Sequence, residues 1–328
     1  MAGDVVRAGV PRRPDAPGGV MGEHGTDAAT EAFVEHRNLL FTVAYEMLGS
    51  AADAEDVLQE TWLRWVGVDL AQVREPRAYL VRIATRQALN RLRTLQRRRE
   101  SYVGSWLPEP VLTAPDVAED VLLAESVSMA LMLVLETLAP TERVVFVLRE
   151  VFEVGYDEIA LAVDKSPGAV RQIAHRARRH VDARRPREVV SAAQTSTVLE
   201  SFHRALATGD VRGLLDVLAP DVVLVADGGG VRRAALRPIL GVDKVVRFLT
   251  GTLAKTDLPV TAEPAVLNGS PALVVRVGGE IDGVIAVRVE GDRVRGLYYV
   301  RNPDKLSRVE REVPLSRRAG RPGPSAEG

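Results

Sequence analysis

Arg171, Gln172, His175, Arg176 and Arg179 recur at three- and four-residue spacing around Val170, Ile173, Ala174 and Ala177. On a helix that pattern gives an apolar stripe for a core and leaves hydrogen-bond donors on the faces that can meet a groove. Arginine can bond guanine O6 and N7 with a bidentate fork, and glutamine can do the same for adenine, so Arg171, Gln172 and Arg176 can read base edges. Arg178, Arg179, Arg184 and Arg185 suit phosphates. His175 fits either a DNA contact or an ordinary surface position. The chemistry is recognition of a polyanion.

The local sequence places these side chains on the second helix of a helix-turn-helix. Ile159, Ala160 and Val163 give the first helix its apolar face, with Asp157 and Glu158 in its first turn, where the helix dipole favours acids. The turn follows through Asp164 and Lys165. Ser166 is an N-cap, and Pro167 is a first helical residue whose missing donor costs nothing there.

A second basic run, RIATRQALNRLRTLQRRR, holds Arg82, Arg86, Arg91, Arg93, Arg97, Arg98 and Arg99 and meets no acid until Glu100. Charge runs are usually solvated faces. A single-sign helix, however, repels itself unless a polyanion is bound. Trp62, Trp65 and Tyr79 lie just before it, as platforms for unstacked bases or as packing in a small bundle. Upstream, Asp53, Glu55, Asp56 and Glu60 surround Val57, Leu58 and Trp62, an acidic helix that suits a basic protein partner or merely neutralises the arginines.

Composition sets the frame for these motifs. The 328 residues leave room for two or three domains, and 46% hydrophobic content supports real cores. The net charge of -1 conceals segregation of arginines from acids. With no cysteine, disulfides and thiolate metal sites are excluded, which fits a reducing cytoplasm. No apolar run has membrane-spanning length, and the N-terminal stretch lacks a signal-peptide core, so we expect a cytoplasmic chain with no membrane partner.

Along the chain we expect a disordered tail over 1–28, a helical bundle over 29–100, a linker over 101–123 and the helix-turn-helix unit over 124–187. Prolines 108, 110 and 115 forbid a continuous helix in the linker. Residues 194–312 change character. Two helices broken at Gly209 and Asp210 precede alternating strands such as ALVVRV and GVIAVRV, which argues α+β. A disordered tail is expected over 313–328. The fold class is therefore multidomain, two all-α domains followed by an α+β cone.

DAEDVLQETWLRW, then PRAYLVRIATRQALNRLR, then TERVVFVLREVFEVGYDEIALAVDKSPGAVRQIAHRARRHV together resemble regions two and four of sigma-70 family factors of the extracytoplasmic-function group. The match covers roughly Glu31 to Arg185. It implies a transcription initiation factor, not an enzyme, whose partners are core RNA polymerase and promoter DNA and whose sigma part needs no cofactor and no metal. The resemblance implies that Asp53, Glu55, Asp56, Gln59 and Glu60 face polymerase. It puts Arg82, Arg86, Asn90 and Arg93 on the melted start-proximal element, and Arg171, Gln172, His175, Arg176 and Arg179 on the upstream one. After Asn90 arginines replace an acid usual in the family, which leaves the details of promoter melting open.

The third segment resembles SnoaL-like domains, and WLPEP, DGGG and NPDKL resemble the sigma factors that carry such a domain fused. We expect Trp106, Leu107 and Pro108, Asp227, Gly228, Gly229 and Gly230, and Asn302, Pro303, Asp304 and Lys305 to lie together, bridging the domains and setting how regions two and four sit. The SnoaL-like pocket could hold a small-molecule ligand. Two alternatives remain open at this point. One is a bifunctional chain whose cone is a cyclase or isomerase, with Asp227 as the plausible base and His203 a weaker candidate. The other is a stand-alone helix-turn-helix regulator.

Overall fold

The computed structural model describes residues 23–114, 120–185, 190–253, 255 and 257–318. Three helices come first: α1 (Glu23–Leu48), α2 (Ala51–Trp65) and α3 (Pro76–Arg99). Gly49, at φ +69°, ends α1, and the Ser50 hydroxyl caps α2 by accepting from Asp53 N. Leu40, Val43, Ala44, Leu48, Leu58, Leu80, Ala84 and Ala88 are buried at helical spacing, so the three helices share one interior.

The second helical segment comprises α4 (Val121–Ser126), α5 (Met129–Leu135), α6 (Pro140–Phe146) with a π turn over Val147–Val151, α7 (Tyr156–Val163) and α8 (Pro167–Asp182). Asp164 adopts φ +55° in the turn, Ser166 accepts from Ala169 N at 3.2 Å, and Pro167 is the first helical residue. The helix-turn-helix therefore forms as its caps predict. Both helical segments contribute to one continuous apolar cluster and so pack against each other.

The last segment holds α9 (Ala192–Thr208), α10 (Val211–Val217), β1 (Leu218–Asp227), β2 (Ile239–Leu240), α11 (Val242–Leu253), β3 (Val260–Leu267), β4 (Ser270–Val277), β5 (Glu280–Glu290) and β6 (Arg293–Val300). Its sheet runs β2-β1-β6-β5-β4-β3, antiparallel except for the β1–β6 pair. Successive strand residues face opposite sides. Leu273, Ile285, Leu297 and Tyr299 pack with Leu199 and Phe202 of α9 and Leu249 of α11. The other face, with Ala272, Val274, Ala286 and Val300, packs on Leu107, Met129, Leu306 and Val309. The sheet is thus apolar on both faces, and its second face is covered by the linker, by α5 and by the segment that follows β6.

Three expected boundaries move. The N-terminal helix starts at Glu23 rather than 29, and residues 1–22 of the expected tail lie outside the described residues. Val121 already begins α4 inside the expected linker, because the Asp120 carboxylate caps it by accepting from Leu123 N. The expected tail from 313 is in part tied down: Val313 and Leu315 join the helical core, and Ser316 N donates to Thr42 Oγ1 at 2.9 Å. Residues 319–328 lie outside the described residues. Among the described residues no helix is long and apolar enough to cross a membrane.

Candidate functional site

On α8, Val170, Ile173, Ala174, Ala177 and Val181 are buried, which turns Arg171, Gln172, His175, Arg176 and Arg179 outward. Arg171 lies over the Tyr156 ring at 5.6 Å; the other four are exposed and have no ion pair among the described residues. Three of the arginines assigned to phosphates are engaged within the chain, Arg184 by donating to the His180 carbonyl at 3.3 Å. Arg178 pairs with Glu150 at 2.6 Å, and Arg185 Nε donates to Glu125 at 2.7 Å.

The basic helix α3 is less open than its sequence suggests. Asn90 and Arg93 are exposed, and Arg82 stacks on Tyr79 at 4.7 Å. Arg86 donates to the carbonyl oxygen of Leu161 on α7 at 2.8 Å, so it faces the second helical segment instead of an open groove. Arg91 turns back to Asp53 and Asp56 of α2, and Arg99 to the Leu48 carbonyl, to Glu136 and over the Trp106 ring. Trp65 is fully buried, donating its indole N–H to the Ala29 carbonyl at 2.8 Å and packing on Tyr79. Trp62 packs on Phe33. Packing, not base stacking, uses these aromatic rings here.

On α2, Asp56, Gln59 and Glu60 are exposed, whereas Asp53 and Glu55 are half-buried. Glu55 receives Arg37 at 2.8 Å and Arg308, from beyond the sheet, at 3.8 Å. The acidic surface is therefore partly matched by arginines of the same chain.

WLPEP, DGGG and NPDKL meet at one junction. The Asp227 carboxylate, 0% exposed, accepts from Tyr102 Oη at 2.6 Å, Leu107 N at 2.9 Å, Lys305 Nζ at 2.7 Å and Gly229 N at 3.0 Å. Lys305 also donates to the Leu107 carbonyl and lies over the Trp106 ring at 4.1 Å. Asn302 donates to Tyr102 Oη at 2.9 Å and caps the turn at Pro303 by accepting from Asp304 N. Leu107 and Pro108 are buried. A Cβ on Gly228 would sit 2.1 Å from the Arg232 carbonyl oxygen, and one on Gly229 would sit 2.4 Å from Asn302, so the loop closes only with glycine. Gly230 lies at φ +75° against Val103.

Electrostatics at this junction follow from burial. Desolvation lowers the Lys305 ammonium to about 8 although Asp227 pulls the other way. Burial and then the bond to Asp227 raise the Tyr102 phenol above its usual range. Asp227 is buried with all four donors drawn from the junction itself. A separate cavity of about 260 Å³ under α9 and α11 is lined by His203, Phe248, Leu249, Val260, Ile285 and Tyr299, and Asp227 does not line it.

Sequence reasoning missed three junction residues: Tyr102, Glu109 and Asn268. The Glu109 carboxylate, 3% exposed, accepts from Ala51 N at 2.8 Å and Ser50 Oγ at 3.2 Å, anchoring WLPEP to the start of α2. Asn268 bridges both helical segments. The Asn-Gly pair at 268 and 269 carries the two-residue hairpin signal, which fixes a turn but not what its side chain touches.

Comparison with known proteins agrees with this layout. Profiles described as Sigma-70 region 2 and Sigma-70, region 4 match residues 32–98 and 128–181. The chain is 36% identical over 306 residues to the ECF RNA polymerase sigma factor SigJ of Mycobacterium tuberculosis, covering 89% of this chain and 95% of that one. It is 30% identical to the probable ECF RNA polymerase sigma factor SigI of the same species, over 89% and 99%. The crystal structure of SigJ superposes with a TM-score of 0.68 at 34% identity, covering 86% of this chain and 98% of that one.

Proposed function

Because the chain belongs to the sigma-70 family, in its extracytoplasmic-function group, we propose that it acts in the cytoplasm as a two-point promoter grip held closed by its own third domain. As a sigma factor it directs RNA polymerase to specific promoters. Asp53, Glu55, Asp56, Gln59 and Glu60 meet the polymerase. Arg82, Arg86, Asn90 and Arg93 meet the start-proximal element, and Arg171, Gln172, His175, Arg176 and Arg179 meet the upstream one, with Arg171, Gln172 and Arg176 at base edges and Arg179 at phosphate.

The observation that carries the regulatory part is the contact between Arg86 and the Leu161 carbonyl. A helix that must reach melted DNA is docked on the first helix of the second reader, so the two readers must separate before both engage a promoter. The junction of Trp106, Asp227, Asn302 and Lys305 holds the linker between the readers and so sets that separation. The cavity beside His203 is a place where a small apolar molecule could act on this balance. Footprinting tests the reading. Protection of two promoter elements that requires core polymerase supports it, and tight protection by the free chain favours a stand-alone regulator.

A further inference from the structure

The β3–β4 turn enters the seam between the two helical segments. Asn268 and Gly269 form a two-residue loop at φ +54° and +66°, joining strands paired through Leu267 and Ser270. A hairpin tip normally spends its polar side chain on water. Here Asn268 is 2% exposed. Its Oδ1 accepts from Val111 N of the linker at 3.2 Å, and its Nδ2 donates to Tyr45 Oη of α1 at 2.6 Å and to the Val127 carbonyl after α4 at 3.0 Å. Its backbone N–H donates to the Val111 carbonyl at 3.0 Å. One amide group thus touches the first helical segment, the linker and the second helical segment.

We propose that Asn268 is the pin that registers the two helical segments, and that withdrawal of the β3–β4 tip is the motion that frees them. This rests on the closed-grip reading given above. The fit is close: a Cβ on Gly269 would lie 2.7 Å from the Ala124 Cα, and Gly269 N donates to Thr113 Oγ1 at 3.0 Å. Tyr45 relays the contact by donating to the Glu109 carbonyl at 2.6 Å. The Glu109 carboxylate caps the N-terminus of α2, the helix that carries Asp53 to Glu60. A displacement of the hairpin therefore reaches the acidic helix through two hydrogen-bonding residues.

Asn268→Gly tests the pin cleanly, because glycine keeps the positive φ while removing the amide. The chain has no cysteine, so spin labels can be placed at Val34→Cys and Lys165→Cys, both exposed, on otherwise unaltered full-length protein. Electron–electron double resonance should then show a longer-distance population, with the open-to-closed ratio raised about ten-fold or more by loss of buried hydrogen bonds. Tyr45→Phe should move the ratio the same way by less, and should add little in the Asn268→Gly background. A wild-type distance distribution in Asn268→Gly, with only the melting temperature lowered, would overturn the proposal and leave Asn268 a local turn residue. Should Asn268→Gly fail to fold, the labelled Tyr45→Phe chain carries the same test, and an unchanged distribution there overturns it. The distances need no polymerase, so they can fail or succeed independently of the transcription reading.

Discussion

Arg86 and Leu161, 75 residues apart, are joined by a hydrogen bond of 2.8 Å from a guanidinium to a backbone carbonyl. That bond places the basic helix of the first helical segment against the helix-turn-helix of the second. Arg86→Ala should loosen the closed form by less than about 1 kcal/mol, the usual worth of a hydrogen bond, because this one is exposed to solvent. Hydrogen exchange in the free chain should quicken at the α7 amides. Because the same arginine is assigned to the melted element, the variant should also form fewer open complexes with polymerase, read by permanganate reactivity.

On the proposed reading, helix α8 separates base reading from phosphate holding. Arg171→Ala and Arg176→Ala should each cost about 1–3 kcal/mol on the matching upstream element and relax its sequence preference. Arg179→Ala should weaken all sequences alike and reduce the salt slope of promoter binding by about 1. Titration of the polymerase complex against salt, with matched and scrambled elements, separates the two classes.

At the junction, Lys305 and Asp227 form a buried pair at 2.7 Å. Removing one member leaves a buried charge without its partner, which costs about 3–5 kcal/mol. Asp227→Asn and Lys305→Met should each lower the urea midpoint strongly. The double variant should lose less than the sum, since neither charge is then stranded.

How much of this was legible in the residues differs by feature. Ser166, Pro167 and the spacing of Val170, Ile173, Ala174 and Ala177 specify α8 through local rules, and those rules decide a helix almost alone. WLPEP, DGGG and NPDKL read as one site by resemblance, and in the structure the Leu107 N–H and the Lys305 ammonium both reach Asp227, joined by the Tyr102 hydroxyl from outside the three strings. What local patterns do not encode is which element packs on which. Nothing in RIATRQALNR indicates that Arg86 meets Leu161 or that Arg91 and Arg99 turn inward. The burial of Asn268 likewise depends on contacts more than 100 residues distant, including Tyr45 and Val127. A polar Asn-Gly tip gives no local reason to expect it in a core.

Glu46 of α1 gives the seam a pH dependence. It is fully buried, its Oε1 accepts from Ser126 Oγ at 2.8 Å, and its Oε2 has no partner among the described residues. Burial pushes its carboxyl up to about 8, against the opposing pull of Ser126 and Arg143. The unfolded chain releases that proton near the ordinary carboxylate value, so between there and pH 8 the folded state binds more protons. Stability should therefore fall as pH rises across that window, by at most about 1.4 kcal/mol per unit, and level off above it. Glu46→Gln should flatten the profile and be the more stable chain at pH 8 in urea unfolding.

Run-off transcription with purified core polymerase tests the central claim most directly. Full-length protein should yield a transcript that neither component gives alone, and scrambling either promoter element should abolish it. Asp227→Asn, which loosens the junction, should change the transcript level at equal protein concentration. A transcript independent of the protein, or one that survives the loss of either element, would contradict the two-point grip.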